Sequence, residues 1–347
     1  MSRELAFWND ETLDLIRGSF VAVAVPTWVC HAEGPEGEFL RGAGIDDHWV
    51  TSSGYLHCVS ASGKLLGRRP STEVLDAFAA LPDSERMPGA VEVQNLPPSA
   101  SLIPSPPEHG IVLKVHARFL ARDGQGGWRH ATPRDFPLMR DDPKLMDRWA
   151  LFLEPNTEYL WLRPEEWRSM IPDNPEIGQR FEADPAIALR MARFHLNPKR
   201  ATTSEGGIVN RQSVTEASLH LTVAEVTPQA VALDLRGRVH WGSEFDAAQA
   251  TSPDGPLAFG YESPLLGRIE IDRAENTITR FDMVAPGDVW GRWGDANNKS
   301  MDIERPGRAP FGFAFELATG QSPTERIPPG GNPRTIADDT GYFPASQ

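Results

Sequence analysis

Two hydrophobic rhythms divide the chain. From residue 213 onward apolar and polar residues alternate with a period of two. SLHLTVAEV at 218–226, AVALDLRGRVHW at 230–241, LLGRIEIDRAENTITRFDMVA at 265–285 and FGFAFELA at 311–318 all follow it. Successive strand residues point to opposite faces, so this rhythm predicts half-buried strands. RAEN at 273–276 reads as the turn between two of them,. The expectation is an antiparallel meander, curved into a half-barrel.

Upstream the rhythm changes. IVLKVHARFLA at 111–121 predicts a strand, and helices are expected at 143–153, 164–171 and 184–195. The second begins PEEWRSMI, with Pro164 in its first turn,. The third, DPAIALRMARFH, has Asp184 as its cap, Pro185 in the first helical position, and Ile187, Met191 and Phe194 on one face,. Nearer the N-terminus, Leu5, Phe7, Trp8, Leu13, Leu15 and Ile16 predict an amphipathic helix over 3–17. FVAVAV at 20–25 is a continuous apolar run of the kind that forms a strand buried on both faces, stopped by Pro26,. A helix follows at Pro35–Arg41. GYLHCVS at 54–60 and KLLGR at 64–68 read as a hairpin turning around Gly63, and a helix over 71–82 is capped by Ser71 or Thr72,.

Residues 82–110 are rich in Pro and Ser, and 319–347 in Pro, Gly and polar residues. The expected organisation is a first domain at 1–82, a linker at 83–110, an α+β domain with a curved antiparallel sheet at 111–318, and a loose tail at 319–347. The fold class is therefore α+β, with a small α/β domain in front. There is no internal repeat.

Composition narrows the function. Lys plus Arg is 34 and Asp plus Glu is 48, a net charge of −14. A chain this acidic repels phosphate, which argues against non-specific nucleic-acid binding. Two cysteines make no disulfide framework,. No apolar stretch approaches the roughly 18 residues that span a bilayer, and no basic segment precedes an apolar one at the N-terminus. The expectation is a cytoplasmic protein without a membrane span, whose partner is a protein or a small molecule. No P-loop, GxGxxG, HExxH or GxSxG is present,.

The N-terminal quarter resembles the thioredoxin fold. The resemblance rests on FVAVAVPTW at 20–28, the helix after it, the hairpin GYLHCVSASGKLLG at 54–67 and the closing helix at 71–81. Trp28 stands where that family has the tryptophan before its CxxC. Here Val29, Cys30 and His31 follow, without a second local cysteine, and the segment TSSGY before the hairpin lacks the family's proline. The resemblance implies the fold without the dithiol exchange.

Cys30 and His31 precede a helix N-terminus, a place that favours thiolate. They are candidates for a one-cysteine redox site or for metal ligands; a buried, inert cysteine is the alternative. Neighbours on a strand point apart, so only one of His57 and Cys58 can face Cys30. Cys30, His31, His48, His57 and Cys58 together would suit copper or zinc, although their spacing matches no established finger. His195, closing a helix, and His220 and His240, on strands, are either satisfied residues or cavity lining. Trp290 and Trp293 in GDVWGRWGD suggest a tightly packed loop or the aromatic wall of a pocket,. Trp28, His195 and Trp290 are the candidate pocket residues. The acid pairs Asp141–Asp142 and Glu165–Glu166 read as solvated surface. Two functions follow: a thiol-based redox or metal-handling protein using Cys30, or a non-enzymatic binding or scaffold protein whose β-rich domain takes a ligand or partner. An enzyme built on His195, His220 or His240 is a third.

Overall fold

The computed structural model describes residues 10–23, 25, 29–30, 33–45, 56–87, 89, 104–136, 153, 155–198, 208–247, 259–295, 298–304, 307–331, 333–336 and 340–343. The protein is α+β. It divides into two compact units, residues 1–103 and 104–347. The break falls inside the expected Pro/Ser-rich linker. The expected helix at 143–153 lies outside the described residues except for Leu153.

The first unit holds α1 (Asp10–Ser19), α2 (Pro35–Gly42), a hairpin of β1 (Cys58–Val59) and β2 (Leu65–Gly67), then α3 (Thr72–Ala79) and the single turn α4 (Asp83–Arg86). The Ser71 hydroxyl caps α3 by accepting from the Val74 N–H at 3.4 Å,. The hairpin pairs Cys58 with Gly67 and Val59 with Leu65. The expected strand at 20–25 is not formed: residues 20–23 and 25 have no strand structure, and Val21 and Val23 are 92% and 73% exposed. A valine-rich run becomes a strand only where a neighbour completes its hydrogen bonds. The Phe20 N–H instead closes the end of α1 on the Ile16 carbonyl at 3.0 Å.

In the second unit, nine strands form one antiparallel sheet. They are β3 (Ile111–Arg122), β4 (Trp128–His130), β5 (Asn156–Leu162), β6 (Arg180–Glu182), β7 (Val214–Val226), β8 (Ala230–Gly242), β9 (Gly260–Asp272), β10 (Thr277–Trp290) and, after a separate hairpin of β11 (Arg292–Asp295) and β12 (Asn298–Glu304), β13 (Ala309–Leu317). The order is β4-β3-β13-β10-β9-β8-β7-β6, with β5 also on the outer edge of β3. The period-two rhythm holds along most of these strands and fails at the ends of β8, where Ala232 and His240 are buried as well. On β8 Val231, Leu233, Leu235, Val239 and Trp241 are buried, while Asp234, Arg236 and Arg238 between them are exposed. The expected turn at 273–276 joins β9 to β10, with Asp272 accepting from the Ala274 and Glu275 amides at 2.8 and 2.9 Å.

Among the described residues the unit has two further helices: α5 (Pro164–Arg168), and α6 (Pro185–Arg190), which continues as a π-helical turn over Met191–His195. That turn touches β5, β7 and β8. In a flat sheet β5 and β7 would stand six strand spacings, about 29 Å, apart, three times a helix diameter. The sheet therefore curls around this helix. Ile187, Ala188, Met191, Ala192, Phe194 and Leu196 are fully buried and form its filling.

The stretch after 319 is not a loose tail in its described parts. Tyr342 is 1% exposed and packs with Tyr159, Trp161 and Phe194, and Glu325 and Thr335 are buried too. Composition points to disorder in such a segment, but Tyr342 is seated in an apolar cluster.

Candidate functional site

The candidate thiol site assembles only in part. Trp28, His31 and His48 lie outside the described residues. Cys30 and Cys58 are both free and both buried. Cys30 packs with Ala43 and Ile45, and its carbonyl is held by the Arg41 guanidinium at 2.7 Å. Burial pushes the Cys58 thiol up, away from the reactive thiolate,. His57 is half-buried just before β1. Among the described residues no group of three or more His, Cys, Asp and Glu is placed to hold a metal ion. Both thiols should therefore react with iodoacetamide at least tenfold more slowly in the native protein than in urea, since only the exposed thiolate is nucleophilic. Rapid native alkylation of Cys30, followed by peptide mass mapping, would restore the thiol reading.

The second unit contains two polar assemblies. The first surrounds Arg190, which is 2% exposed. Its guanidinium bridges Glu166, through NH1 at 2.8 Å and a second short bond from NH2, and donates to the Tyr342 and Trp161 carbonyls at 2.6 and 3.2 Å. Glu166 also accepts from the Arg163 N–H at 2.7 Å, capping α5. The expected solvated surface pair is thus divided: Glu165 is exposed, and Glu166 is 3% exposed and committed to Arg190. Beside it His195 is buried between Glu158, 3.0 Å from Nδ1, and the Tyr342 hydroxyl, 3.0 Å from Nε2. Neither Arg190 nor Glu158 carries a sequence signal of its own. They become a site only because α6 and β5 meet.

The second assembly stands at the end of the sheet where β8, β10 and β7 meet the chain ends of β9 and β13. Glu216, His240, Glu262 and Asp288 are consecutive cross-strand partners, so they form one row across four strands,. Trp290 ends β10 rather than lying in a loop. Its indole N–H donates to the Ser243 carbonyl at 3.0 Å. Its ring lies on Gly260, where a Cβ would come within 2.6 Å of it. His240 stacks on Trp290 with centroids 5.9 Å apart, the Arg308 guanidinium sits 5.2 Å from the ring, and Phe245 meets it edge-on at 6.1 Å. Arg308 is itself bonded to Glu262 and lies 3.4 Å from Asp288.

His240 is only 7% exposed. Its Nδ1 is 2.5 Å from the Thr215 hydroxyl, which also reaches the His240 carbonyl at 3.3 Å. The Thr215 hydroxyl and Nδ1 share one proton across this contact, and Nε2 is an N–H donor or a bare acceptor according to which of them holds it. Nε2 is buried and has no hydrogen-bond partner. His220, by contrast, is exposed and 3.4 Å from Glu182. Trp293 lies on β11. At the opposite end of the sheet an open cleft of about 410 Å³ is lined by His109, Trp167, Arg168 and the β9–β10 turn.

Comparison with protein-family models, with curated proteins and with solved structures found no match. No helix among the described residues is long and apolar enough to cross a membrane.

Proposed function

We propose that this is a non-enzymatic binding protein whose β-rich unit takes a small ligand at the Trp290–His240 rim. One observation carries the reading, the buried and unpartnered Nε2 of His240. A buried polar atom without a partner costs about 1–3 kcal/mol, and such atoms are rare enough to need a reason. A polar ligand atom supplies that partner. The surroundings of that nitrogen are aromatic, with His240 stacked on Trp290 and Phe245 against the same ring, so a polar ligand atom there meets little competing water,. The other buried acid–base groups described above, Arg190 with Glu166 and His195 with Glu158, are engaged with one another. The hollow of the sheet is filled by α6, which argues against an internal ligand.

The test compares the wild-type protein with His240→Leu, which removes the orphan nitrogen at similar volume. Gently purified wild-type protein should show a ligand adduct in native mass spectrometry, absent from the variant. After ligand is removed, the variant should melt about 2–4 °C higher for each kcal/mol recovered. A bare wild-type mass together with a variant that melts lower would refute the proposal.

A further inference from the structure

A second site is already filled, by the chain itself. We propose that the pocket holding Tyr342 is a receptor for a tyrosyl group on a peptide, and that the C-terminal segment is its intramolecular occupant. The pocket reads every chemical feature of the residue. The phenol oxygen accepts from the Trp161 main-chain N–H at 3.0 Å and lies 3.0 Å from His195 Nε2. His195 is oriented by Glu158 at its other nitrogen. With Nδ1–H donating to that carboxylate, Nε2 is the acceptor that takes the phenol proton. The ring is enclosed by Phe194, edge-on at 4.9 Å, and by the Arg190 guanidinium, 4.9 Å from its centroid.

Main-chain atoms are read as well. The Tyr342 carbonyl accepts from Arg190 Nε at 2.6 Å, and the Thr340 carbonyl from Arg193 NH2 at 3.2 Å. An aromatic slot, an oriented acceptor and two arginines on the main-chain carbonyls of Thr340 and Tyr342 are the elements of peptide recognition,. The fit is incomplete. Trp161 is fully buried in the same cluster, and its indole Nε1 has no hydrogen-bond partner. The tail thus leaves one donor of the pocket unused, and a peptide offering an acceptor there competes with it. This site is separate from the His240 rim, and its failure leaves that reading untouched.

The experiment uses the full chain. In Tyr342→Ala the vacated slot should bind p-cresol, raising Tm by about 3–6 °C at ten times the ligand's Kd. Toluene, which lacks the hydroxyl, should raise it by less than half as much, and wild-type protein should respond to neither. Equal shifts from both compounds would mean a merely apolar cavity, and no shift from either a collapsed one; each overturns the proposal. A second measurement needs no variant. Millimolar N-acetyl-tyrosinamide should speed hydrogen exchange in residues 340–343 of the wild-type protein severalfold, and N-acetyl-phenylalaninamide should not. Equal exchange with and without the tyrosine compound overturns the proposal as well.

Discussion

Arg190→Met should lower the unfolding free energy of the β-rich unit by about 3–5 kcal/mol, the usual cost of removing one partner of a buried ion pair. The reasoning is specific to this pair. The guanidinium is 1% and the Glu166 carboxylate 4% exposed, so neither gains from water what it loses in its partner. Methionine fills the aliphatic volume but leaves Glu166 with one remaining donor, the Arg163 N–H. It also frees the Tyr342 carbonyl and so loosens the tail. Urea unfolding followed by circular dichroism reads the loss. Adding Glu166→Gln should recover part of it, because the stranded charge disappears. A single-variant loss below about 1 kcal/mol, the range of an exposed pair, would mean that the pair is solvated.

Trp290→Ala should cost about 3–5 kcal/mol, as large-to-small changes at buried aromatic residues do. The indole is 3% exposed and has a role on every side: it donates to Ser243, covers Gly260, stacks on His240 and lies under Arg308. Trp290→Phe should recover more than half, keeping the ring but not the N–H. Because His240 and Trp290 touch, their effects should not add. In a cycle with His240→Leu the coupling is expected at about 0.5–3 kcal/mol, within the range of residues in contact. Strict additivity would show that the stack contributes nothing.

Much of the second unit was legible before any coordinates. The alternation along 230–241 and 265–285 predicts strands, and β8, β9 and β10 are those strands. The Asp184–Pro185 start predicts the helix that fills the sheet, because capping and proline preference are local effects. The FVAVAV run was misread for the opposite reason: strand formation depends on a partner that no single segment specifies. The thin composition of 319–347 concealed Tyr342, since one buried side chain outweighs a polar average. Of the site residues, His195 and Trp290 carried a signal, the end of a helix and a Trp–Gly cluster. Glu166 was misassigned because burial is not visible in a pair of adjacent acids.

By itself, the sequence determined the α+β class, the period of most strands, the turn at 273–276 and the net negative charge. These are properties of neighbours in the chain, and hydrophobic spacing and backbone preference decide them. Only the tertiary structure decided which charges are buried and with whom. Arg190 meets Glu166 24 positions away and Tyr342 152 positions away, and His240 Nε2 is buried without a partner on a strand that stacks its ring on Trp290. Pairing and desolvation depend on what the fold brings within hydrogen-bond reach, so the chemistry of both assemblies appears only when the sheet has curled and the tail has docked.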